Sequence, residues 1–380
     1  MQGRRGAHPL AQPNGSSRAP PPGGAVWLAG VRTEHVLPAR LVAMSDKENE
    51  PALVGSHVSP RLVRTRLVAG FAAAGTMFLY LAVKVAWVIG ALAGTVPTAF
   101  EANVPAWIAL NAVTIGMAAF GVALGLALAQ PWGMRLPAGL VLLFAWTASG
   151  FLVSLLPYSA LAAILSAAGV GSGGEDGTDT SGASLPAWET ALISTGFAGM
   201  AIGLVVAAPI YMRERWPRAF TGTTADVRPA AIRPRLSAFA LAAAAVPTLL
   251  WMYWAAGGIA GLNPAARELW VLDSRLLVGT SAVWALLGAW SAWTLSGRGR
   301  RRVPLGLPMT VGFIASGSLF AWNTWRILWA LLPITDQEPL RTPAVAVAEH
   351  GTATAAGIAM LVIIVRAYRN NSVSPNHLSR

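Results

Sequence analysis

The sequence predicts an all-α integral membrane protein with eight transmembrane helices, arranged as two tandem four-helix repeats in parallel orientation. Three observations carry this. Composition is the first: mean hydropathy is +0.53, with 54% hydrophobic and 12% charged residues, where soluble chains carry about 25% charged residues. Second, the apolar residues fall in runs long enough to cross a bilayer, which takes about 20 residues. Third, the chain matches itself at a constant offset.

Eight apolar windows lie near 67–92, 104–128, 136–165, 187–211, 236–257, 272–295, 305–332 and 345–368. The long third window contains Pro157, which removes a helical N–H and predicts a kink. Between the windows, charge alternates by side. One side carries Arg61, Arg64, Arg66, Arg135, Arg213, Arg215, Arg218, Arg228, Arg233, Arg235, Arg298, Arg300, Arg301, Arg302, Arg366 and Arg369. The other carries Arg267 and Arg341, with Arg275 at a span edge, and is otherwise acidic: Glu101, Glu175, Asp176, Asp179, Glu268, Asp336 and Glu338. The positive-inside rule then puts both termini in the cytoplasm and the protein in the plasma membrane. The net charge of +12 is thus a topology signal. Its arginines face anionic lipid headgroups, and a nucleic-acid partner is excluded.

Shifted by 167 residues, "WVIGALAG" (87–94) falls on "WAAGGIAG" (254–261), "RLPAGL" (135–140) on "RVPLGL" (302–307) and "ASGFL" (148–152) on "ASGSL" (315–319). From Trp87 to Leu152 the shift gives 20 identities over 66 positions. The expected domains are a first repeat over 61–211, a basic cytoplasmic linker over 212–235 and a second repeat over 236–368. Four spans per unit return the chain to its starting side, so the repeats are related by a pseudo-twofold axis along the membrane normal. The small-residue pairs Gly90/Gly94, Gly121/Gly125, Gly199/Gly203 and Gly257/Gly261 predict close helix packing.

The ends are poor in apolar residues. Residues 1–60, rich in Pro, Gly, Arg and Ser, and the tail 369–380 are expected to be disordered and cytoplasmic. Met44, ahead of a hydrophilic leader, is expected to be the natural start of translation, with 1–43 as upstream sequence.

Ionisable residues inside spans are costly, usually face the bundle interior, and find partners there. Lys84 interrupts "LYLAVKVAWVIGALAG", 18 residues past Arg66, or about 27 Å along a helix, in the outer part of the bilayer. Its counterpart in the second repeat is Trp251. Asn323 and Arg326 share a face of the seventh span, Glu349 and His350 lie near the outer end of the eighth, and Glu189 opens the fourth. These six residues form the candidate binding cluster, with Lys84 or Arg326 expected to pair with Glu349 or Glu189. The tryptophans Trp322, Trp325 and Trp329 make one stripe on the seventh span.

Enzyme motifs do not emerge. There is no P-loop, no GxSxG elbow and no HExxH. The absence of cysteine excludes thiol chemistry and disulfides, and His350, the only histidine inside a predicted span, has no second His or Cys at metal-ligand spacing, so neither metal nor cofactor is expected. "GVGSGGEDGTDTSG" (169–182) lacks the spacing of a calcium loop. "KVAWVIGALAG" and "RLPAGL" resemble segments of multi-pass membrane proteins of high-GC actinobacteria, a resemblance that implies the membrane class over 67–368 and no assigned activity. The function expected is binding or transport of a small molecule or ion through an outward-opening polar cavity. A structural or sensory subunit acting through a partner is the alternative. Third is an intramembrane enzyme, for which Glu349, His350, Glu189 and Lys84 would have to supply the acid–base chemistry.

Overall fold

In the computed structural model the described residues are 59–95, 104–170, 187–227, 234–268, 270–297, 302–331 and 340–371. The leader before Ser59, the acidic stretch around Glu175, the tail beyond Asn371, and Glu101, Asp336 and Glu338 lie outside them. Among the described residues the fold is helical, broken only by isolated β-bridges.

The helices are α1 (Pro60–Leu92), α2 (Val104–Ala129), α3 (Ala138–Leu152), α4 (Leu156–Ala167), α5 (Ala187–Arg215) and α6 (Pro234–Ala255). There follow the short α7 (Pro264–Glu268), then α8 (Leu272–Leu295), α9 (Gly306–Leu331), the short α10 (Pro343–Ala346) and α11 (Thr352–Arg369). Among the described residues, seven helical segments are long and apolar enough to cross a membrane, counting α3–α4 and α10–α11 each as one. In lipid each backbone polar group must be satisfied within the chain, and a helix does this segment by segment. Their outward faces carry Phe71, Phe78, Ile89, Phe120, Leu249 and Leu286, the surface lipid covers. The remaining long helix, α9, has 26 residues, but its serines, Asn323 and Arg326 make it more polar.

The expected kink near Pro157 is a 3-10 turn at Val153–Leu155, between α3 and α4. Proline cannot donate to the carbonyl four residues back, and the helix breaks at that point. The Trp284 indole on α8 donates to the Ser154 carbonyl within the break, at 2.9 Å.

Packing divides into two buried cores. The first joins α1, α2, α3 and α5 around Met77, Trp146, Leu204 and Tyr211; the second joins α6, α8, α9 and α11 around Trp251, Trp254, Ala285 and Met360. Small residues set the spacing in the first. A Cβ on Gly125 would stand 2.8 Å from the Ala74 backbone nitrogen, and one on Gly203 2.4 Å from the Ala73 Cβ. Gly94 and Gly261 have a different use. Their φ values of +85° and +82° belong to turns, as does Gly257 at +100°: Gly94 and Gly257 follow the ends of α1 and α6, and Gly261 lies in the connection to α7.

The two cores meet where α3 crosses α9. A Cβ on Gly150 would lie 2.2 Å from the Gly317 carbonyl carbon, and one on Gly317 would lie 3.2 Å from the Gly150 Cα. Beside this crossing Trp146 donates to Ser316 Oγ at 2.9 Å and stacks on Phe320, with centroids 4.5 Å apart.

The helix ends with the chain's arginines form one face. Arg66 donates to the Leu128 carbonyl and lies 3.2 Å from Glu214. Arg215 and Tyr211 both donate to the Gly133 carbonyl. Residues 218–227 of the linker pack here. Thr224 N donates to the Val303 carbonyl, Leu305 N to Gly222, and the Asn371 amide to Arg218 and Thr221. Asp226 closes a capping box with Thr223, and that backbone N–H and hydroxyl hold its carboxyl below the ordinary carboxylate range.

Gly150→Leu and Gly317→Leu should each destabilise the protein by about 1–3 kcal/mol or more through overpacking, read as a lower thermal midpoint. Gly75→Leu, where no atom lies within 4 Å of the new Cβ, should leave the midpoint unchanged.

Candidate functional site

At the ends of α6, α9 and α11 opposite the arginine face, two connections pair with each other. Leu262 and Arg341 form an antiparallel bridge. Asn263 N donates to the Leu340 carbonyl at 3.2 Å, and Thr342 N to Gly261 at 3.0 Å. The left-handed turns at Gly257 and Gly261 let the chain double back over α6, and Arg275 Nε caps the Ala255 carbonyl at 3.1 Å. This pairing holds Arg341 inward, 4% exposed. Its guanidinium lies 4.8 Å from the Trp254 ring centroid and 5.6 Å from that of Trp270. Both indoles are themselves bonded, Trp254 to the Ala260 carbonyl and Trp270 to Trp254.

Beneath Arg341 lies Glu349, 2% exposed. Arg341 Nε donates to its Oε2 at 2.9 Å, and Trp251 Nε1 donates to its Oε1 at 2.7 Å. Both oxygens are therefore met, as a buried carboxylate requires. Local backbone makes this possible: Val347–Gly351 is a single π-helical turn. Its wider winding brings the neighbours Glu349 and His350 inside together, and such turns are frequent at functional sites. His350 Nδ1 lies 2.9 Å from Asn323 Oδ1. The Asn323 amide nitrogen donates to the Leu319 carbonyl at 2.8 Å, so Oδ1 is the acceptor and Nδ1 carries the proton. His350 Nε2 then points toward Glu349 Oε2, 3.9 Å away.

Arg326 is half-buried and within electrostatic reach of both Arg341 and Glu349. One turn before it, the buried Trp322 Nε1 has no acceptor among the described residues. The Trp322 ring meets Phe151 edge-on at 5.1 Å.

Of the six residues named from sequence, Asn323, Arg326, Glu349 and His350 come together here. Lys84 and Glu189 stand on α1 and α5. Lys84 is buried, its ammonium 3.9 Å from the Trp87 centroid and 5.6 Å from that of Tyr80. Where Lys84 or Arg326 was expected to pair with Glu349, the partners are Arg341 and Trp251. The sequence reading missed both, having counted Arg341 as a loop charge. The available signal was the position of Trp251 opposite Lys84 in the self-match, since a buried indole N–H needs an acceptor.

Chemically, both Glu349 oxygens are engaged, by Arg341 and by Trp251. No group of three metal-ligating side chains occurs among the described residues. No protein-family model, curated protein or solved structure matches the chain.

Arg341→Gln leaves Glu349 short of its cation, and should cost about 3–5 kcal/mol in equilibrium denaturant unfolding. Trp251→Phe removes one donor and should cost about 1–3 kcal/mol. The double variant Arg341→Met/Glu349→Leu, which removes the pair together, should recover a large part of the Arg341→Gln loss.

Proposed function

We propose that this is an eight-span plasma-membrane protein that binds or transports a small molecule or ion through a polar cavity open to the outer face, with both termini cytoplasmic. One observation carries the reading: Arg341, Glu349, His350, Asn323 and Arg326 converge between apolar helices, where burying charge costs several kcal/mol per ion. Packing alone would be served as well by apolar side chains of similar volume. The site lies at the end of the bundle away from Arg61, Arg64, Arg135, Arg213, Arg218, Arg235, Arg302 and Arg369, all exposed. On the positive-inside rule it faces outward, and those arginines meet anionic headgroups.

The duplication belongs to the same proposal, with α9 as the seventh span. Gly150 and Gly317, which touch, are equivalent under the 167-residue shift, as expected of residues on a pseudo-twofold axis. Gly94 and Gly261, also equivalent, share the left-handed turn conformation. Helix neighbours repeat as well: α1 packs on α2 and α5, as α6 packs on α8 and α11.

The second reading, a structural or sensory subunit acting through a partner, is favoured by the complete internal bonding of Glu349. Water access separates the two. The chain contains no cysteine, so single cysteines can be placed freely. Thr324→Cys and Ala348→Cys should react with a membrane-impermeant thiol reagent added outside intact cells, as should Glu268→Cys on α7, while Arg218→Cys should react only after lysis. Labelling at Glu268→Cys without labelling at Thr324→Cys or Ala348→Cys would favour the closed, partner-dependent reading. Labelling of Arg218→Cys in intact cells would overturn the orientation.

A further inference from the structure

The charges of the cluster do not balance. Arg326 and Arg341 bring two positive charges and Glu349 one negative charge, and no other acid among the described residues bears on Arg326. Glu349 is already bonded by Arg341 and Trp251. Arg326 has no ion pair or hydrogen bond to a described residue. A second donor stands beside it. Trp322 lies four residues earlier on α9, on the same helical face, and its buried Nε1 has no acceptor among the described residues. A guanidinium and an indole N–H, both donors, are thus left one turn apart on a helix packed against α3, α8 and α11.

We infer that Arg326 and the Trp322 indole N–H recognise a small monovalent organic carboxylate at this site, an inference that rests on the binding role proposed above. The planar guanidinium fork matches the two oxygens of a carboxylate, which a halide cannot do. One negative charge brings the cluster to neutrality; a dianion would overshoot. The rings of Trp322 and Phe151, 5.1 Å apart, offer an apolar wall to the carbon body of the ligand. An ordinary imidazole is neutral at pH 7, so charge balance in the cluster lies with the two arginines and Glu349.

The test uses the full chain in nanodiscs with benzoate as probe, and tetraethylammonium and glucose as cationic and neutral comparisons. Benzoate should raise the thermal midpoint and bind by calorimetry. Arg326→Gln should weaken it tenfold or more and Trp322→Phe severalfold, while Arg326→Lys should retain part of the affinity. Equal benzoate binding to wild type and Arg326→Gln would overturn the inference. Protection by tetraethylammonium or glucose but not benzoate would overturn the carboxylate assignment and spare the binding role. Protection by none of the three would overturn both. A ligand-free measurement stands beside these. Arg326→Gln removes an uncompensated charge and should unfold at a higher temperature than wild type. A lower midpoint, reproduced by Asp336→Asn or Glu338→Gln, would mean that the chain supplies its own counter-charge, and would equally overturn the inference.

Discussion

A carboxylate stays charged inside a helix bundle only when donors meet both of its oxygens, and in this protein that requirement falls on Glu349. The paired connections, the π-turn and the tryptophans at the end of α6 all serve it. Arg341 is delivered by a bridge to Leu262, and Trp251 comes from the last turns of α6. Val347–Gly351 winds as a π-turn, and within it both Glu349 and His350 are buried, with His350 in contact with Asn323. The ordering of two connections, a helix end and an irregular turn thus converges on one buried negative charge, and Arg326 then exceeds what that charge can balance.

Under the proposed duplication, Trp251 and Lys84 stand at equivalent positions of the two halves with different polar chemistry. In the second, Trp251 turns its N–H to Glu349. At the corresponding place in the first, Lys84 lies over Trp87 and Tyr80, a cation–π arrangement. Under the proposed duplication the scaffold is common and the polar chemistry has diverged. Under that proposal the contact of Gly150 with Gly317 marks where the halves meet; the polar side chains of the candidate site come from the second half, and Phe151 of the first lies against Trp322.

Local patterns were legible in the sequence and long-range pairings were not. The apolar windows near 67–92 and 272–295 became Pro60–Leu92 and Leu272–Leu295, because span length is a property of a continuous run. Pro157 announced the break between α3 and α4, although the 3-10 turn lies just before it. The face shared by Asn323 and Arg326 follows from helical spacing alone. Arg341 was opaque: its inward position depends on a bridge to Leu262, far away in the chain, and nothing in either connection's composition announces the other. The π-turn was equally hidden, since an extra residue in a helix leaves no periodic trace over so short a stretch. For Lys84 a local signal was present: Tyr80 and Trp87, four residues before and three after, lie on its own helical face, and its ammonium stands over both rings.

The central claim is that Arg326 and Trp322 together face a ligand rather than a side chain. A cryo-EM map of the protein in nanodiscs with benzoate tests this most directly. The account predicts non-protein density between the Arg326 guanidinium and the Trp322 indole nitrogen, in hydrogen-bond reach of both. A carboxylate of Asp336 or Glu338 within about 4 Å of Arg326, with no added density, would contradict it.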